Sequence, residues 1–304
     1  MGRRISIQVM MSMDKTNRVQ FEKPNISELI QQYTVVDLHF HTRYSDGLNT
    51  VRQIAKRVRQ RGIGIAITDH NDISGPVEID EYKDILSIPG IEITSQEGSH
   101  ILIYFYGIES LKHFFKEYIQ PNMGYGLMSS VALSMEEIIE KARAFKTVVI
   151  LPHPYCTAYT GVCNPQFSMA RQKRLFDLVD GVEAINSENL KKWNLKCAVL
   201  GFNMDKTVVG GSDGHALFQI GKVVSYADCK RTREAFLDAV RKKQNKVIGK
   251  EIDIFRKVTS NGLKLRTNLK NCPDLIEKNI RYSYTVLNSK SKKLRENIKN
   301  RLKG

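Results

Sequence analysis

The stretch VVDLHFHTRYSDG, residues 35 to 47, decides how the rest of the chain is interpreted. An apolar run ends in His39 and His41, and a Ser-Asp-Gly turn that contains Asp46 follows. In an extended strand, side chains two residues apart point to the same side and lie about 6.6–6.8 Å apart along the strand. His39 and His41 can therefore bind one metal ion, while Leu38 and Phe40 face the packed interior.

Strand-like and helix-like stretches alternate from residue 34 onward. Seven short runs rich in β-branched residues predict strands: TVVDLH, GIGIAIT, GIEIT, HILIYFYG, TVVILPH, GVEAIN and KTVVGGSD. Five stretches between them have helical spacing of apolar positions, with Ser134 opening a capping box and Gly62 and Gly201 at predicted helix ends. The alternation predicts an α/β fold with a parallel sheet and helices outside it. No glycine-rich phosphate loop follows the first strand, which favours a barrel over an open nucleotide-binding sheet.

Six of the seven histidines lie at ends of the predicted strands, and only His113 lies in a helical run. The residues that share these strand ends are His39, His41, Asp46, His70, Glu92, His100, His153, Asp213 and His215. One histidine at a strand end is usually a packing residue, and one His-x-His pair also arises by chance. Nine such residues at one predicted end indicate a metal centre, because that end is where barrels of this class assemble their chemistry. Nitrogen and oxygen donors without thiolate suit Zn²⁺, Mn²⁺ or Fe²⁺.

Length and composition limit the alternatives. The chain has 304 residues, of which 41% are apolar and 26% charged, as in ordinary globular proteins. We see no apolar segment near ~18–20 residues and no secretory signal, so we expect no transmembrane segment. The five cysteines are odd in number and widely spaced, which argues against a disulfide framework and favours a cytoplasmic location. Cys156, near His153, is a weaker candidate nucleophile or soft ligand.

The positive charge is concentrated at the C-terminal end. Residues 256–304 hold fourteen Lys and Arg against three acids, a net of +11 out of the total of +15, which leaves +4 for the rest. We therefore divide the chain into a leader (1–33), a catalytic barrel (34–250) and a basic, mainly helical extension (251–304). Four apolar residues, Leu287, Leu294, Ile298 and Leu302, form one stripe in that extension. The extension could be a helix docked on the barrel, an arm that binds RNA or DNA, or a membrane-surface helix.

Five motifs carry a resemblance to a known family. DLHFHTRYSDG, TDHN, GIEI followed by a histidine, LPHP and GSDGH resemble, in this order, the motifs of the polymerase and histidinol phosphatase (PHP) family. The resemblance extends from about residue 35 to 250. It implies a distorted, TIM-like barrel of seven strands and hydrolysis of phosphoesters at a site with two or three divalent metal ions.

The resemblance also implies roles for single residues. It assigns a first ion to His39, His41, Glu92 and Asp213, a second to Glu92, His100 and His153, and a third to Asp46, His70 and His215. A hydroxide that bridges the ions, held by Glu92, His39 and His41, would attack phosphorus, and Asp37 and Asp69 would orient ligand imidazoles. Many members have a basic residue after the His-Pro of LPHP, but PYCTAYTGVCNPQ has none. Arg43, or Arg171 with its neighbours Lys173 and Arg174, could bind the phosphate instead.

Three functions follow from these observations. The first is a phosphoesterase that hydrolyses a phosphomonoester or phosphodiester of a nucleotide or of an oligonucleotide end. The second is a small-metabolite phosphatase of the histidinol-phosphate type, and the third is a non-catalytic module that binds nucleic acid. A metal-dependent amidohydrolase also begins with His-x-His on a barrel, but the TDH and Glu-to-His spacings fit that class poorly.

Overall fold

A computed structural model of the chain describes residues 18–124, 129–156 and 160–252. Strands and helices alternate along these ranges, so the predicted α/β fold is confirmed. The strands are β1 (Val19–Gln20), β2 (Thr34–Phe40), β3 (Gly64–Ile67), β4 (Gly90–Thr94), β5 (His100–Phe105), β6 (Thr147–Leu151), β7 (Gly181–Asn186), β8 (Thr207–Gly211), β9 (Val223–Ala227) and β10 (Lys246–Gly249). The α-helices are α1 (Ile26–Gln32), α2 (Val51–Arg61), α3 (Ser74–Asp80), α4 (Ile108–Phe114), α5 (Met135–Arg143), α6 (Met169–Leu178), α7 (Lys191–Asn203) and α8 (Arg233–Arg241).

The strands form two five-stranded sheets. One has the order β1-β10-β9-β2-β3 and the other the order β4-β5-β6-β7-β8. Isolated bridges between Ile65 and Ser87 and between His70 and Glu92 connect the β3 region to the β4 region. Another bridge joins Phe40, at the end of β2, to Gly214 just after β8. Single bridges, rather than continuous ladders, therefore link the two sheets within the described ranges, and closure into a seven-stranded barrel stays a prediction.

The prediction of a parallel sheet is wrong for half of the ladders between described strands. The pairs β4–β5, β5–β6, β2–β9 and β9–β10 are antiparallel, whereas β1–β10, β2–β3, β6–β7 and β7–β8 are parallel. A parallel connection needs about a dozen residues or more, whereas antiparallel strands can be joined by a tight turn. Only the loop SQEGS separates β4 from β5, so the sequence itself allowed no crossover there.

The helix ends follow local chemistry, with one exception. Thr50 and Ser134 both form complete capping boxes, at the starts of α2 and α5. Gly62 ends α2 with a left-handed φ of 68°, as predicted. Gly201 does not end its helix, because α7 continues to Asn203. A Cβ at this position would lie 2.7 Å from a methyl group of Val208, so the glycine permits close packing of α7 on β8.

Burial of β2 explains why its histidines face inward. All seven residues of the strand are buried. Leu38 and Phe40 belong to two hydrophobic clusters that pack against the surrounding strands and helices, as the alternation predicted. Tyr104 of β5 donates its hydroxyl to the carbonyl oxygen of Leu38 at 2.7 Å, which connects the two sheets.

The ends of the described chain meet in the first sheet. Val19 of β1 is paired with Val247 of β10, so part of the predicted leader joins the sheet that contains the end of the predicted barrel. The limits 1–33, 34–250 and 251–304 stay predictions. The apolar stripe from Leu287 to Leu302 lies outside the described residues. In the described part, every helix is too short or too polar to cross a bilayer.

Candidate metal centre

The first group of side chains is built on the end of β2. His39 is the next-to-last residue of the strand and His41 follows it, and their ring centroids lie 5.1 Å apart. Asp213 approaches from the loop after β8, where its backbone has a left-handed φ of 50°. This conformation is costly for a non-glycine residue and recurs at functional sites. It aims the Asp213 carboxylate at the two imidazoles.

Four donor atoms in this group are spaced like the ligands of one ion. Nε2 of His39 lies 3.3 Å from Oε2 of Glu92 and 3.5 Å from Oδ1 of Asp213. Nε2 of His41 lies 3.4 Å and 3.1 Å from the same two oxygens. Ligands bound about 2.1 Å from a tetrahedral ion are separated by roughly 3.4 Å. Four edges of such a tetrahedron are thus present among these side chains.

Glu92 uses its other oxygen for a second group. Oε1 lies 2.9 Å from Nδ1 of His100 and 3.3 Å from Nε2 of His153. The antiparallel β4–β5 ladder pairs His100 with Thr94, two residue pairs beyond Glu92, so that both lie on the same face. His153 lies just after β6 and has a left-handed φ of 30°. Glu92 is therefore positioned to serve two neighbouring ions with one carboxylate.

A third group forms around Asp46. Its Oδ2 lies 3.0 Å from Nε2 of His215, and its Oδ1 lies 3.8 Å from Nδ1 of His41 and 3.9 Å from Nε2 of His70. His70 is closer to Glu92, at 3.3 Å. The compact group is accordingly His41, Asp46 and His215, with a further group of His41, His70 and Glu92.

All nine sequence-predicted ligands are brought together. They form four overlapping groups in which the donor atoms lie within 4.8 Å of one another. His39 and His153 are 6.1 Å apart between ring centroids, and His41 and His215 are 4.6 Å apart. Their function as metal ligands stays a prediction.

The two predicted phosphate-binding arginines differ in their surroundings. Arg43 is exposed on the loop between the histidines of β2 and Asp46. Arg171 donates to both oxygens of Glu136, at 2.9 and 2.7 Å, and also to Glu97. These carboxylates raise the pKa of Arg171 above its ordinary value, the hydrogen bond to Glu136 contributing most. Arg43 is therefore the better candidate of the two.

Asp37 and Asp69 support loops rather than imidazole rings. Asp37 accepts hydrogen bonds from the backbone of Ser212 and of Gly221, at 2.9 Å each. Asp69 accepts from the backbone and hydroxyl of Thr42, at 2.7 Å each, and from the hydroxyl of Ser45 at 2.6 Å. The expected imidazole contacts are thus replaced by bonds to the loops that follow β2 and β8. Burial raises the pKa of each carboxyl group to about 6.

Glu183 makes the imidazole contact that was expected of these aspartates. Its Oε1 lies 2.9 Å from Nδ1 of His39, while its Oε2 accepts the backbone N–H of His153 and the side-chain amide of Asn186. The same amide group of Asn186 donates to Asp213 at 3.0 Å. Sequence reasoning missed both residues. The signal was a charged residue inside an apolar strand, since GVEAIN places Glu183 as GIEIT places Glu92.

Charges within the cluster keep the carboxylates ionised. Burial by itself raises the pKa of Glu92, but its interactions with neighbouring imidazoles, those of His100 first, outweigh burial and hold that pKa well below its usual range. For Asp213, the same burial is outweighed by His39 and His41, so its pKa also falls well below normal. Burial lowers the pKa of His70 to about 3, which leaves its imidazole neutral and able to donate a lone pair.

The cluster also has unused coordinating atoms. Nδ1 of His41 and Nδ1 of His70 are buried, and neither forms a hydrogen bond with the described residues. Buried polar atoms normally have a partner, so such atoms point to an ion or water. Together with the oxygen and imidazole donors and the distances above, they fit divalent cations.

Cys156 lies at the margin of this cluster. Burial raises the pKa of its thiol, but the interactions with His153, Thr160 and the backbone of Gly161 together outweigh burial and lower that pKa to about 7. The thiol belongs to the surroundings of His153, and its sulfur lies 3.6 Å from the hydroxyl of Thr160.

Comparison with known proteins identifies the family of this α/β fold. The chain belongs to the PHP domain family, whose model matches residues 37–190. It is 33% identical to the uncharacterized protein MJ1587 of Methanocaldococcus jannaschii over 167 residues, which cover 50% of this chain and 81% of that protein.

Solved structures share the fold at low sequence identity. One is a two-domain protein from Bacteroides vulgatus that contains a predicted PHP-like metal-dependent phosphoesterase, with a TM-score of 0.54, 16% identity and coverage of 76% of this chain and 68% of that one. Another is Endonuclease Q in complex with a 27-mer duplex that has an abasic lesion at the active site. It gives a TM-score of 0.56 at 16% identity, over 71% of this chain and 60% of that one.

Proposed function

We propose that the protein is a metal-dependent phosphoesterase that hydrolyses a phosphomonoester or phosphodiester of a nucleotide or of an oligonucleotide end. The observation that carries this proposal is the convergence of nine imidazole and carboxylate side chains with ligand-like spacing. Membership of the PHP family supports the reaction class. Closure of the two sheets into a seven-stranded barrel, with the cluster at its rim, is part of the same proposal.

The ligand assignment follows the sequence prediction. His39, His41, Glu92 and Asp213 would hold one ion, Glu92 with His100 and His153 a second, and Asp46 with His70 and His215 a third. Bound divalent cations would supply Lewis acidity, which activates water near neutral pH and neutralises charge on phosphoryl oxygens. Mn²⁺, Zn²⁺ and Fe²⁺ all suit this donor set.

The surrounding residues prepare the site for that chemistry. Glu183 fixes the proton of His39 on Nδ1, so that Nε2 presents its lone pair toward Glu92 and Asp213. The lowered pKa values of Glu92 and Asp213 keep both carboxylates negative. Arg43, exposed on the adjoining loop, would bind a substrate phosphate oxygen.

A nucleotide or oligonucleotide substrate is favoured by charge and by a structural neighbour. The net charge of +11 on residues 256–304 would attract a phosphate backbone. Endonuclease Q, which shares the fold, is complexed with a 27-mer duplex substrate that has an abasic lesion at the active site. From this neighbour we take only the proposal that the substrate is a nucleic acid. We further propose that the protein acts in the cytoplasm.

A substrate panel tests the proposal. The full chain with Mn²⁺ is assayed for phosphate release from histidinol phosphate and from 3′,5′-bisphosphonucleosides, and for phosphate release from or shortening of short RNA, with a chelator-treated sample beside it. Hydrolysis of the nucleotide compounds is expected. Hydrolysis of histidinol phosphate alone would instead support the small-metabolite phosphatase. Metal binding without hydrolysis of any ester would support the non-catalytic module.

A pair of histidine variants completes the test. His39→Ala removes the imidazole nitrogen that His39 contributes to the first group. The kcat/KM of this variant should fall by more than about hundredfold, because loss of a residue that only orients a ligand typically costs about 10- to 100-fold. His113→Ala is the matched control, because His113 is exposed on α4 and pairs with Glu117. It should keep the wild-type rate.

A further inference from the structure

Helix α7 carries an aromatic and cationic surface close to the metal centre. The rings of Tyr155 and Trp193 are nearly parallel, with an interplanar angle of 8° and centroids 6.2 Å apart. The ammonium group of Lys196 lies 4.6 Å from the Trp193 ring centroid and 5.5 Å from that of Tyr155. Lys192 lies 5.1 Å from the Trp193 ring centroid. We call these four residues the α7 face.

A groove with apolar walls adjoins the α7 face. Leu195 is 43% exposed and Val199 is 55% exposed. The groove has a volume of about 350 Å³, at the lower end of small-molecule sites. Its lining residues are Tyr155, Leu195, Lys196, Val199, Leu200 and Asn203. Its walls thus combine aliphatic carbon, one phenol ring, one ammonium group and one amide.

Hydrogen bonds connect the α7 face to the metal centre. Tyr155 lies two residues after His153, and its carbonyl oxygen accepts the side-chain amide of Asn189 at 2.7 Å. Asn189 follows β7 by three residues, and Asn186, the last residue of that strand, donates to Asp213. The backbone N–H of Asn189 donates to the carbonyl oxygen of Asn186 at 3.2 Å, so Tyr155 is linked through these two asparagines to Asp213 of the cluster.

The charge of the helix indicates the chemistry of the ligand. α7 contains Lys191, Lys192 and Lys196 and has no acidic residue. In the part of the chain that the structure describes, none of these lysines forms a salt bridge. Cations beside aromatic rings are the combination with which proteins bind single-stranded nucleic acids, the cations binding phosphates and the rings stacking on bases. A surface that binds a protein partner more often has an apolar centre with few lysines, which differs from the α7 face.

We propose that the α7 face binds a single-stranded nucleic acid segment next to the phosphate that is hydrolysed. A base stacks against the Tyr155 and Trp193 pair, and the neighbouring phosphates contact Lys192 and Lys196. This inference rests on the proposed function, and it adds that the substrate is an oligonucleotide with an unpaired segment rather than a small phosphorylated metabolite.

Trp193 provides a direct test, because it is the only tryptophan in the chain. Full-length protein in EDTA, which prevents hydrolysis, is titrated with a 5′-phosphorylated thymidine octamer while Trp193 emission is recorded. Stacking of a base should quench the emission in a saturable way. Binding elsewhere, including at the basic C-terminal segment, leaves the surroundings of this indole unchanged.

Paired lysine variants make the test specific. Lys192→Ala with Lys196→Ala should weaken octamer binding by at least about tenfold. It should also reduce the slope of log affinity against log salt concentration by about 1.4, which is 0.7 for each lost phosphate contact. Lys141→Ala with Lys146→Ala is the matched control, because these lysines also lie over aromatic rings, those of Tyr118 and Tyr106. The control should bind the octamer like the wild type.

Three results would overturn the inference. They are an absence of quenching, equal weakening in both variant pairs, and self-association of the protein through the α7 face at the working concentration. Because the titration is run without metal, its failure is separate from a failure of hydrolysis in the substrate panel.

Discussion

Replacing Glu183 by glutamine tests whether its carboxylate prepares His39 for metal binding. The Glu183 side chain is 1% exposed, and three donors face it: Nδ1 of His39, the backbone N–H of His153 and the amide of Asn186. Glutamine has one carbonyl oxygen in place of two carboxylate oxygens. If that oxygen faces His153 and Asn186, the NH₂ group faces His39, whose proton must then move to Nε2. If the amide is turned the other way, two buried donors lose their acceptor.

Either orientation should weaken metal binding to a similar degree. Loss of a partner that orients a ligand typically costs about 10- to 100-fold in metal affinity. This corresponds to roughly 1.4–2.7 kcal/mol, in line with about 1–3 kcal/mol for a buried donor left without an acceptor. We therefore expect the Kd of Glu183→Gln for Mn²⁺ to rise by about 10- to 100-fold.

Calorimetric titration of the metal-free protein with Mn²⁺ measures this change. Glu140→Gln is the matched control, because it is the same chemical replacement at an exposed position of α5. Thermal unfolding without metal shows whether the Glu183 variant is folded. A folded Glu183→Gln protein that binds Mn²⁺ within twofold of the wild type would refute the reasoning.

Three further predictions concern packing, pH and metal. Gly75→Ala should lower the free energy of unfolding in urea by about 1–3 kcal/mol, because the added Cβ would lie 2.2 Å from an oxygen of Asp69. Gly107→Ala is the control and should lose less than that, because a Cβ added there would have no atom within 4 Å. Burial raises the pKa of Asp37 from 3.8 to about 6, so the native state holds this proton more tightly between these pH values. The contribution of Asp37 to the free energy of unfolding therefore falls by about 3 kcal/mol as the pH rises from about 4 to 6. Unfolding curves of Asp37→Asn over this range should lack that fall. Mn²⁺ at about 100 times its Kd should add about 2.7 kcal/mol to the free energy of unfolding, seen as a higher Tm; an unchanged Tm with Mn²⁺, Zn²⁺ and Fe²⁺ would contradict a metal centre.

The convergence of the histidines can be predicted from the sequence, because the end of a strand is recognisable from the residues around it. An apolar run followed by a polar residue predicts where a strand stops, and residues two apart in a strand share a side, as His39 and His41 do. Asp46, His70 and His215 follow their strands in the same manner. The sequence therefore predicted which side chains meet without predicting how the strands are paired.

Other features depend on contacts between distant segments. Glu183 could be recognised only as a charge in an apolar strand, since its partners His39 and His153 lie far away in the sequence. The antiparallel pairing of β2 with β9 likewise depends on tertiary packing, because residues 34–40 and 223–227 show no pattern that indicates their relative direction. Tyr155 and Trp193 are brought together only by the path of the chain around β7.

The short pairing of β1 with β10 has a practical consequence for truncation. β10 is hydrogen-bonded to β9 on one side and covered by Val19 and Gln20 on the other. A chain trimmed to begin at residue 34 would leave the backbone N–H and C=O groups of β10 open to water. Unpaired strand edges recruit other chains and promote aggregation. Two residues near the beginning of the described chain thus protect the sheet from intermolecular β-pairing.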